Sequence, residues 1–246
     1  MIPTRSSAPS SALYKNRARI FCSALLLSLA FSSAVFASPS SALRAVLAQG
    51  ADGLSPQVLA MALDAVSSAR DRGVAGKSDL LTVIDYSLPS TEPRLWVLDL
   101  AHGKVLFHEL VAHGAGSGEK FATRFSNVND SRATSLGLFL TSETYEGGNG
   151  YSLKLKGLDE GINDQAEARH IVMHGAWYVS TDHARQYGML GRSWGCPALP
   201  QEDAKPVIDA IKGGSFVFAY SGAAPTMLRA SLASAGPRGA STSLGR

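Results

Sequence analysis

From Leu80 onward the apolar residues recur at every second position instead of every third or fourth, and this switch of period constrains the fold more than any other feature of the chain. Leu80–Tyr86, Arg94–Leu100 and Val105–Ala112 read as strands, with Asp99 to Lys104 turning the chain through Gly103. Leu136–Leu140, Tyr151–Leu155, Ile171–Met173 and Ser215–Tyr220 continue the pattern, and Gly147-Gly148-Asn149-Gly150 supplies a turn. Strands in this number with helices at the flanks predict a mainly β, α+β architecture.

The flanking helices have their own signals. Leu43, Val46 and Leu47 stand at helical spacing. A clearer helix follows, with Ser55 at its cap, Pro56 in its first turn, Val58, Leu59, Ala62, Leu63 and Val66 along one face, and Gly73 at its end. Ser180–Tyr187 reads as a short helix stopped by Gly188, and Asp203–Ile211 as another in which Pro206 falls in the first turn, where it is tolerated. Ala115–Thr134 is a Gly/Ser/Asn-rich connection of a length that marks either function or disorder in a compact domain.

The N-terminus sets the compartment. Arg5, Lys15, Arg17 and Arg19 precede an apolar run, Ile20–Phe36, and Val35-Phe36-Ala37 before Ser38 has the small-residue form of a cleavage site. The expectation is an exported protein of the periplasm or cell envelope, in contact with the membrane only through this segment if it stays uncleaved. Its removal takes away four of the 23 basic residues and none of the 20 acidic ones, so the formal charge of +3 becomes −1. No basic patch of the kind that binds nucleic acid remains. The expected organisation is a signal peptide at 1–37, an N-terminal helical segment at 38–79, a catalytic domain at 80–220 and a flexible Ser/Ala/Gly/Pro-rich tail at 221–246.

Cysteine arithmetic then singles out one residue. Cys22 leaves with the signal and Cys196 has no intramolecular partner, so an exported chain either pairs this thiol between molecules or uses it. Cys196 lies in Ser193-Trp194-Gly195-Cys196-Pro197, where Gly permits a turn and Pro withholds a competing N–H. His174, before Gly175 at the end of Ile171–Met173, sits on a rigid strand end. A thiol is mostly protonated at neutral pH, so a base must supply the thiolate, and a Cys196 activated by His174 is expected to titrate below a free thiol. The thiolate would attack a carbonyl, pass through an oxyanion held by the N–H groups around Trp194, Gly195 and Cys196, and leave a thioester. No cofactor is expected, and the lack of a Cys–His cluster argues against zinc.

The order His-Gly, connecting segment, Ser-x-Gly-Cys resembles the L,D-transpeptidase catalytic (YkuD-like) domain. Val111-Ala112-His113-Gly114, Ser117-Gly118-Glu119-Lys120, Thr134-Ser135-Leu136-Gly137 and Gly191-Arg192-Ser193 resemble its divergent murein L,D-transpeptidase branch. The resemblance covers roughly Leu80 to Tyr220. It implies a YkuD-like β-sandwich or barrel with a catalytic Cys loop, Cys196 as nucleophile and His174 as base, a Gly175 carbonyl that fixes the His174 tautomer, and the 115–134 connection lying over the groove. It also implies peptidoglycan stem tetrapeptides as partners, cut after their diamino acid, with the side-chain amine of another stem as acceptor. Stems carry carboxylates, for which Arg192 is the first candidate, with Ser193 and His113 beside it in the site. The chain departs from the common Ser-His-Gly-Cys at Trp194, has Ala198 where a polar residue is usual, and has a longer segment between His174 and Cys196.

Four other readings compete. Water as acceptor would make an L,D-carboxypeptidase or other stem-peptide hydrolase. A sortase-like enzyme needs an Arg soon after the Cys, whereas none follows Cys196 before Arg229; NlpC/P60-type hydrolases place Cys before His, the reverse of the order here. A non-catalytic envelope protein that only binds peptidoglycan would carry an unreactive Cys196.

Overall fold

The computed structural model describes residues 50–224. The export signal, the Leu43–Leu47 helix and most of the tail lie outside the described residues. Helix α1 (Pro56–Asp71) has the expected face buried, with Val58, Leu59, Ala62, Leu63 and Val66 packed toward the sheet. Ser55 stands at the N-cap position but its hydroxyl makes no capping bond. The C-terminus is tied more firmly: Gly73, at φ +84, lets its N–H reach Arg70 C=O at 2.9 Å while Val74 N–H reaches Ala69 C=O at 3.0 Å, a Schellman closure.

Eight strands follow: β1 (Leu80–Asp85), β2 (Leu95–Asp99), β3 (Lys104–Glu109), β4 (Gly137–Gly147), β5 (Gly150–Gly157), β6 (Val172–Ala176), β7 (Ala198–Pro200) and β8 (Phe216–Tyr220). They form one sheet in the order β3-β2-β1-β8-β4-β5-β6-β7. The pairs β1–β8 and β6–β7 are parallel and the others antiparallel. The segment after β3 then leaves its neighbour and bridges to the far edge, with Ala112 N–H donating to Ala198 C=O at 2.8 Å and Gly114 opposite Ser193. The sheet is therefore nearly closed. Its interior is filled by Leu81, Val83, Leu153, Met173, Phe216 and Phe218, all buried, and such closure removes a free edge.

Several element bounds differ from the sequence expectation, each for a physical reason. Val105–Ala112 is not one strand, because Leu110 to Ala112 are buried where they cross from β2 to β7. Strand β4 runs on to Gly147 through exposed polar residues that show no apolar alternation. Strand β6 runs past Met173, where the expected strand ends, through His174 and Gly175 to Ala176. The glycine serves packing: a Cβ there would lie 3.0 Å from Ala204 Cβ, on the helix covering this strand. That helix, α3 (Gln201–Ile211), begins before Asp203, so Pro206 lies inside it and not in its first turn. Pro206 is exposed, and the missing N–H costs one hydrogen bond on the solvent side only. The short helix α2 (Thr181–Tyr187) is capped by Ser180 and stopped by Gly188 at φ +73, as its sequence predicts.

The closure makes a stability prediction. A Cβ at Gly114 would lie 2.3 Å from Arg132 C=O and 2.7 Å from Gly195 Cα, backbone atoms that have no rotamer to give. Gly114→Ala is expected to lower unfolding free energy by about 1–3 kcal/mol, read from chemical denaturation. An unshifted midpoint would mean that the 112–115 segment is free to move away from the Cys196 loop.

Candidate active site

Cys196 is held by a turn that stitches itself together. Ser193 Oγ accepts the Gly195 N–H at 3.1 Å and donates to the Cys196 carbonyl at 2.6 Å. Gly195 adopts φ +121, and a Cβ there would lie 2.8 Å from Ala133 C=O, so both conformation and space select glycine. The turn is anchored to the closing segment, with Ser193 N–H donating to His113 C=O and Ala115 N–H to Ser193 C=O. Ser193 thus has its hydroxyl occupied inside the turn. Its position is that of a turn lock, which differs from the substrate-contacting role expected for it.

The β6–β7 pairing brings His174 to this turn. His174 lies opposite Ala198 in parallel register, and its N–H donates to Pro197 C=O at 3.4 Å. Its Nδ1 is 2.9 Å from Gly175 C=O, an acceptor only, so Nδ1 carries the proton and Nε2 is left with a lone pair. The Cys196 sulfur accepts Val172 N–H at 3.4 Å and faces His170 C=O at 3.6 Å, a carbonyl delivered by a non-glycine residue at φ +54. No hydrogen bond joins the imidazole to the thiol among the described residues. Catalytic bonds of free enzymes commonly tighten only with substrate.

Burial dominates the charge state of both groups. It pushes the Cys196 thiol up, against Val172 N–H and the Arg169 charge, which pull it down. It pushes His174 down, opposed by the bond to Gly175. Both directions favour a neutral thiol and a neutral imidazole in the resting protein, so burial works against the lowered thiol expected from activation by His174.

Of the expected oxyanion donors, Gly195 N–H is already given to Ser193 Oγ. The Trp194 and Cys196 N–H groups make no hydrogen bond among the described residues and are the free donors at the turn. Gly175 contributes its carbonyl to His174. Arg192 is half-buried and places Nη1 3.0 Å from Gly118 C=O, which fixes its guanidinium over the Ser117–Lys120 stretch. The Trp194 ring is 73% exposed, with Arg132 stacked over it at 4.6 Å.

Two arginines escaped the sequence reading. Arg94 is fully buried and donates to Val111 C=O through Nε at 3.1 Å and Nη2 at 2.8 Å, and to Leu88 C=O at 2.7 Å; it stacks over Tyr86 at 5.0 Å. Burial lowers it to about 10. Its Nη2 also lies 2.8 Å from His113 Nδ1, and because guanidinium only donates, Nδ1 must accept and the His113 proton sits on Nε2. Burial, reinforced by the Arg94 charge, drives His113 down to about 4. His113 is therefore a neutral donor and not a base. Its Nε2 is buried against the Gly118 and Glu119 backbone, which raises the pKa slightly without a well-formed hydrogen bond. Arg169 donates to Ser126 C=O, Ser135 Oγ, Ser131 Oγ and Ala133 C=O, pinning the 126–135 part of the long connection behind Gly195. The one sequence signal for Arg94 is a cation opening an otherwise apolar strand.

Two measurements follow from these charge states. Alkylation of Cys196 by iodoacetamide is expected to rise with pH to a midpoint above the free-thiol value of about 8.5, and a lower midpoint would contradict the burial argument. Because folded His113 binds its proton at about 4 instead of 6.5, the unfolded chain holds more protons between those values and stability falls as pH drops through that window. His113→Asn should flatten that slope in denaturation curves taken across it.

With this geometry in place, comparison with known proteins shows that the L,D-transpeptidase catalytic domain family matches residues 50–220. No curated protein matches the chain. Similar solved structures include the L,D-transpeptidase LdtMt1 in complex with imipenem, at 16% identity and TM-score 0.36 over 58% of this chain and 59% of that one. An L,D-transpeptidase from Mycobacterium smegmatis stands at 14% identity and TM-score 0.35, over 58% and 59%. A fragment of one from Xylanimonas cellulosilytica stands at 16% and 0.35, over 73% and 91%. The chain thus covers 59% of the length of the first two.

Proposed function

Starting from the L,D-transpeptidase catalytic domain family, to which this chain belongs, we propose that it is a cysteine acyltransferase that opens peptidoglycan stem tetrapeptides through a Cys196 thioester. The observation that carries the reading is the His174 imidazole, with Nδ1 fixed by Gly175 C=O and Nε2 free, in register with the residue two beyond Cys196. A backbone carbonyl here takes the orienting part that a carboxylate plays in Ser-His-Asp triads.

The chemistry proceeds from the neutral pair. As the stem carbonyl approaches, the thiol proton passes to His174 Nε2 and the sulfur attacks the carbonyl carbon. The oxyanion is met by Trp194 and Cys196 N–H, and removing one such donor raises the barrier by about 2.7–4 kcal/mol. Collapse breaks the bond to the stem's terminal residue, whose amine takes the proton back from the imidazolium. Because both groups are buried, the ion pair exists only while charge is developing, which keeps the thiol unreactive toward adventitious electrophiles. An amine of a second stem then resolves the thioester to a cross-link, and water would resolve it to a trimmed stem. Arg192 is assigned to the stem carboxylate. The export signal expected at 1–37 supports a reading in which this activity belongs to the periplasm or envelope.

Incubation of the protein with stem tetrapeptide should add the mass of the truncated acyl group to Cys196 and release the terminal residue. Cys196→Ala should abolish the adduct, and His174→Ala should slow its formation by about 10²–10⁴-fold. An adduct that forms normally in His174→Ala would remove His174 from the mechanism, and no adduct in the unaltered protein would favour a binding protein. Arg192→Ala should lower kcat/KM about tenfold with the alkylation profile unchanged. An unchanged kcat/KM would return Arg192 to the role of a loop tether.

A further inference from the structure

The segment between His174 and Cys196, longer than in typical family members, carries a surface that the mechanism does not use. Its two feet are fixed. Val179 and Leu190 are buried with Ala176 and Ala198, Leu190 N–H donates to Ser90 Oγ at 3.2 Å, and Gly191 N–H donates to Tyr178 C=O at 3.0 Å. Helix α2, between those feet, buries none of its residues. Seven residues are too few for a helix to stand on its own propensity, so α2 is held by its Ser180 and Gly188 caps and by the anchored feet, and not by a core. A short helix built this way displays side chains instead of packing them.

What it displays is aromatic. Trp177 is 76% and Tyr187 59% exposed, and His183 lies between them, its ring centroid 5.9 Å from that of Trp177 and 4.5 Å from that of Tyr187. A single exposed ring is ordinary, but three in file form a continuous patch, which marks an interaction surface. The rings also have polar edges. Trp177 Nε1–H and the Tyr187 hydroxyl make no hydrogen bond among the described residues. His183 Nδ1 is 3.1 Å from Met189 C=O and so carries the proton, leaving Nε2 as a free acceptor. The charge is balanced: between Ala176 and Arg192 the only carboxylate is Asp182 and the only guanidinium Arg185, and the two pair at 3.0 Å.

Open ring faces, polar edges and zero net charge together select the ligand. An anionic lipid surface needs unpaired basic residues, and a charged peptide needs a free counter-charge; this segment offers neither. A pyranose presents C–H groups on its faces and hydroxyls at its edge, which matches ring faces rimmed by an N–H donor, a hydroxyl and an acceptor nitrogen. We propose that the Trp177, His183 and Tyr187 face is a saccharide-binding surface, which takes an uncharged chain of N-acetylated hexosamines along its row of rings. Trp177 follows the end of β6, three residues after His174, so a sugar chain held there borders the acyl-transfer site and a peptide attached to it can reach the thiol. That link to catalysis rests on the acyl-transfer reading above; the saccharide binding itself does not.

Ligand-observed NMR titration of the full chain with a β-linked N-acetylglucosamine tetramer, which has no peptide to occupy the thiol site, tests the surface. Binding is expected, weakened about tenfold in Trp177→Ala and in Tyr187→Ala and unaltered in Cys196→Ala. Both rings are exposed, so each variant should keep the denaturation midpoint of the unaltered protein, and Tyr187→Ala carries the test by itself if Trp177→Ala does not fold. Absent binding, or binding that both substitutions leave unchanged, overturns the surface. Stem tetrapeptide bound in place of the saccharide and lost in Trp177→Ala would give the rings to the stem and overturn it. Self-association in sedimentation that Trp177→Ala abolishes would give the face to a second copy of the chain, with the same consequence. Saccharide binding as expected in a protein that forms no thioester would support the surface while the acyl-transfer reading falls.

Discussion

Everything at this site depends on the pairing of β7 with β6. β7 has only three residues, but its parallel register fixes Ala198 beside His174 and so delivers the Cys196 turn to the imidazole. The other edge of β7 receives Ala112, and Gly114 packs against Gly195. Sheet closure and active-site assembly are therefore the same event. A chain that failed to bring the 112–115 segment back to β7 would lose both the barrel seam and the support behind the nucleophile.

Closure also sets the electrostatics. Enclosing the thiol and imidazole removes the water that would stabilise their charged forms, and the directions agree: the acid is pushed up and the base down. What compensates is fixed and local, namely Val172 N–H and the Arg169 charge at the sulfur and Gly175 C=O at the imidazole. These groups are already oriented in the resting protein, so they cost no reorganisation when charge develops. Arg94 follows the same logic further in. Four hydrogen bonds to two carbonyl oxygens and an imidazole, and an aromatic face, hold a buried guanidinium with no carboxylate bonded to it, and its consequence is a single tautomer at His113.

The period of two was legible where exposure alternates along the strand, as in β3, while β1 and β8, buried on both faces, were legible as short apolar runs bounded by turn residues. It was not legible in β7, too short to show a period, or in the exposed end of β4. His174 and Cys196 were legible from residue type and flanking glycines. The roles of their neighbours were not, since those depend on hydrogen bonds between segments distant in sequence. Ser193 has the composition of a substrate contact and the bonds of a turn lock. Arg94 and Arg169 reach their partners only after folding.

The departure at Trp194 can be argued from the same bonds. The turn is built by Ser193 Oγ and Gly195, and position 194 contributes its backbone N–H to it while its side chain projects outward under Arg132. Nothing in the turn's geometry therefore requires an imidazole at 194. With Trp there, the turn carries no titratable side chain at 194 and presents a flat apolar surface capped by a cation. Base duty then cannot be shared. His113, which holds the turn through its carbonyl, has Nδ1 occupied by Arg94 and its proton on Nε2, whereas His174 keeps a free lone pair on Nε2. The neutral, single-base arrangement follows from the sequence of the turn together with the buried arginine behind it.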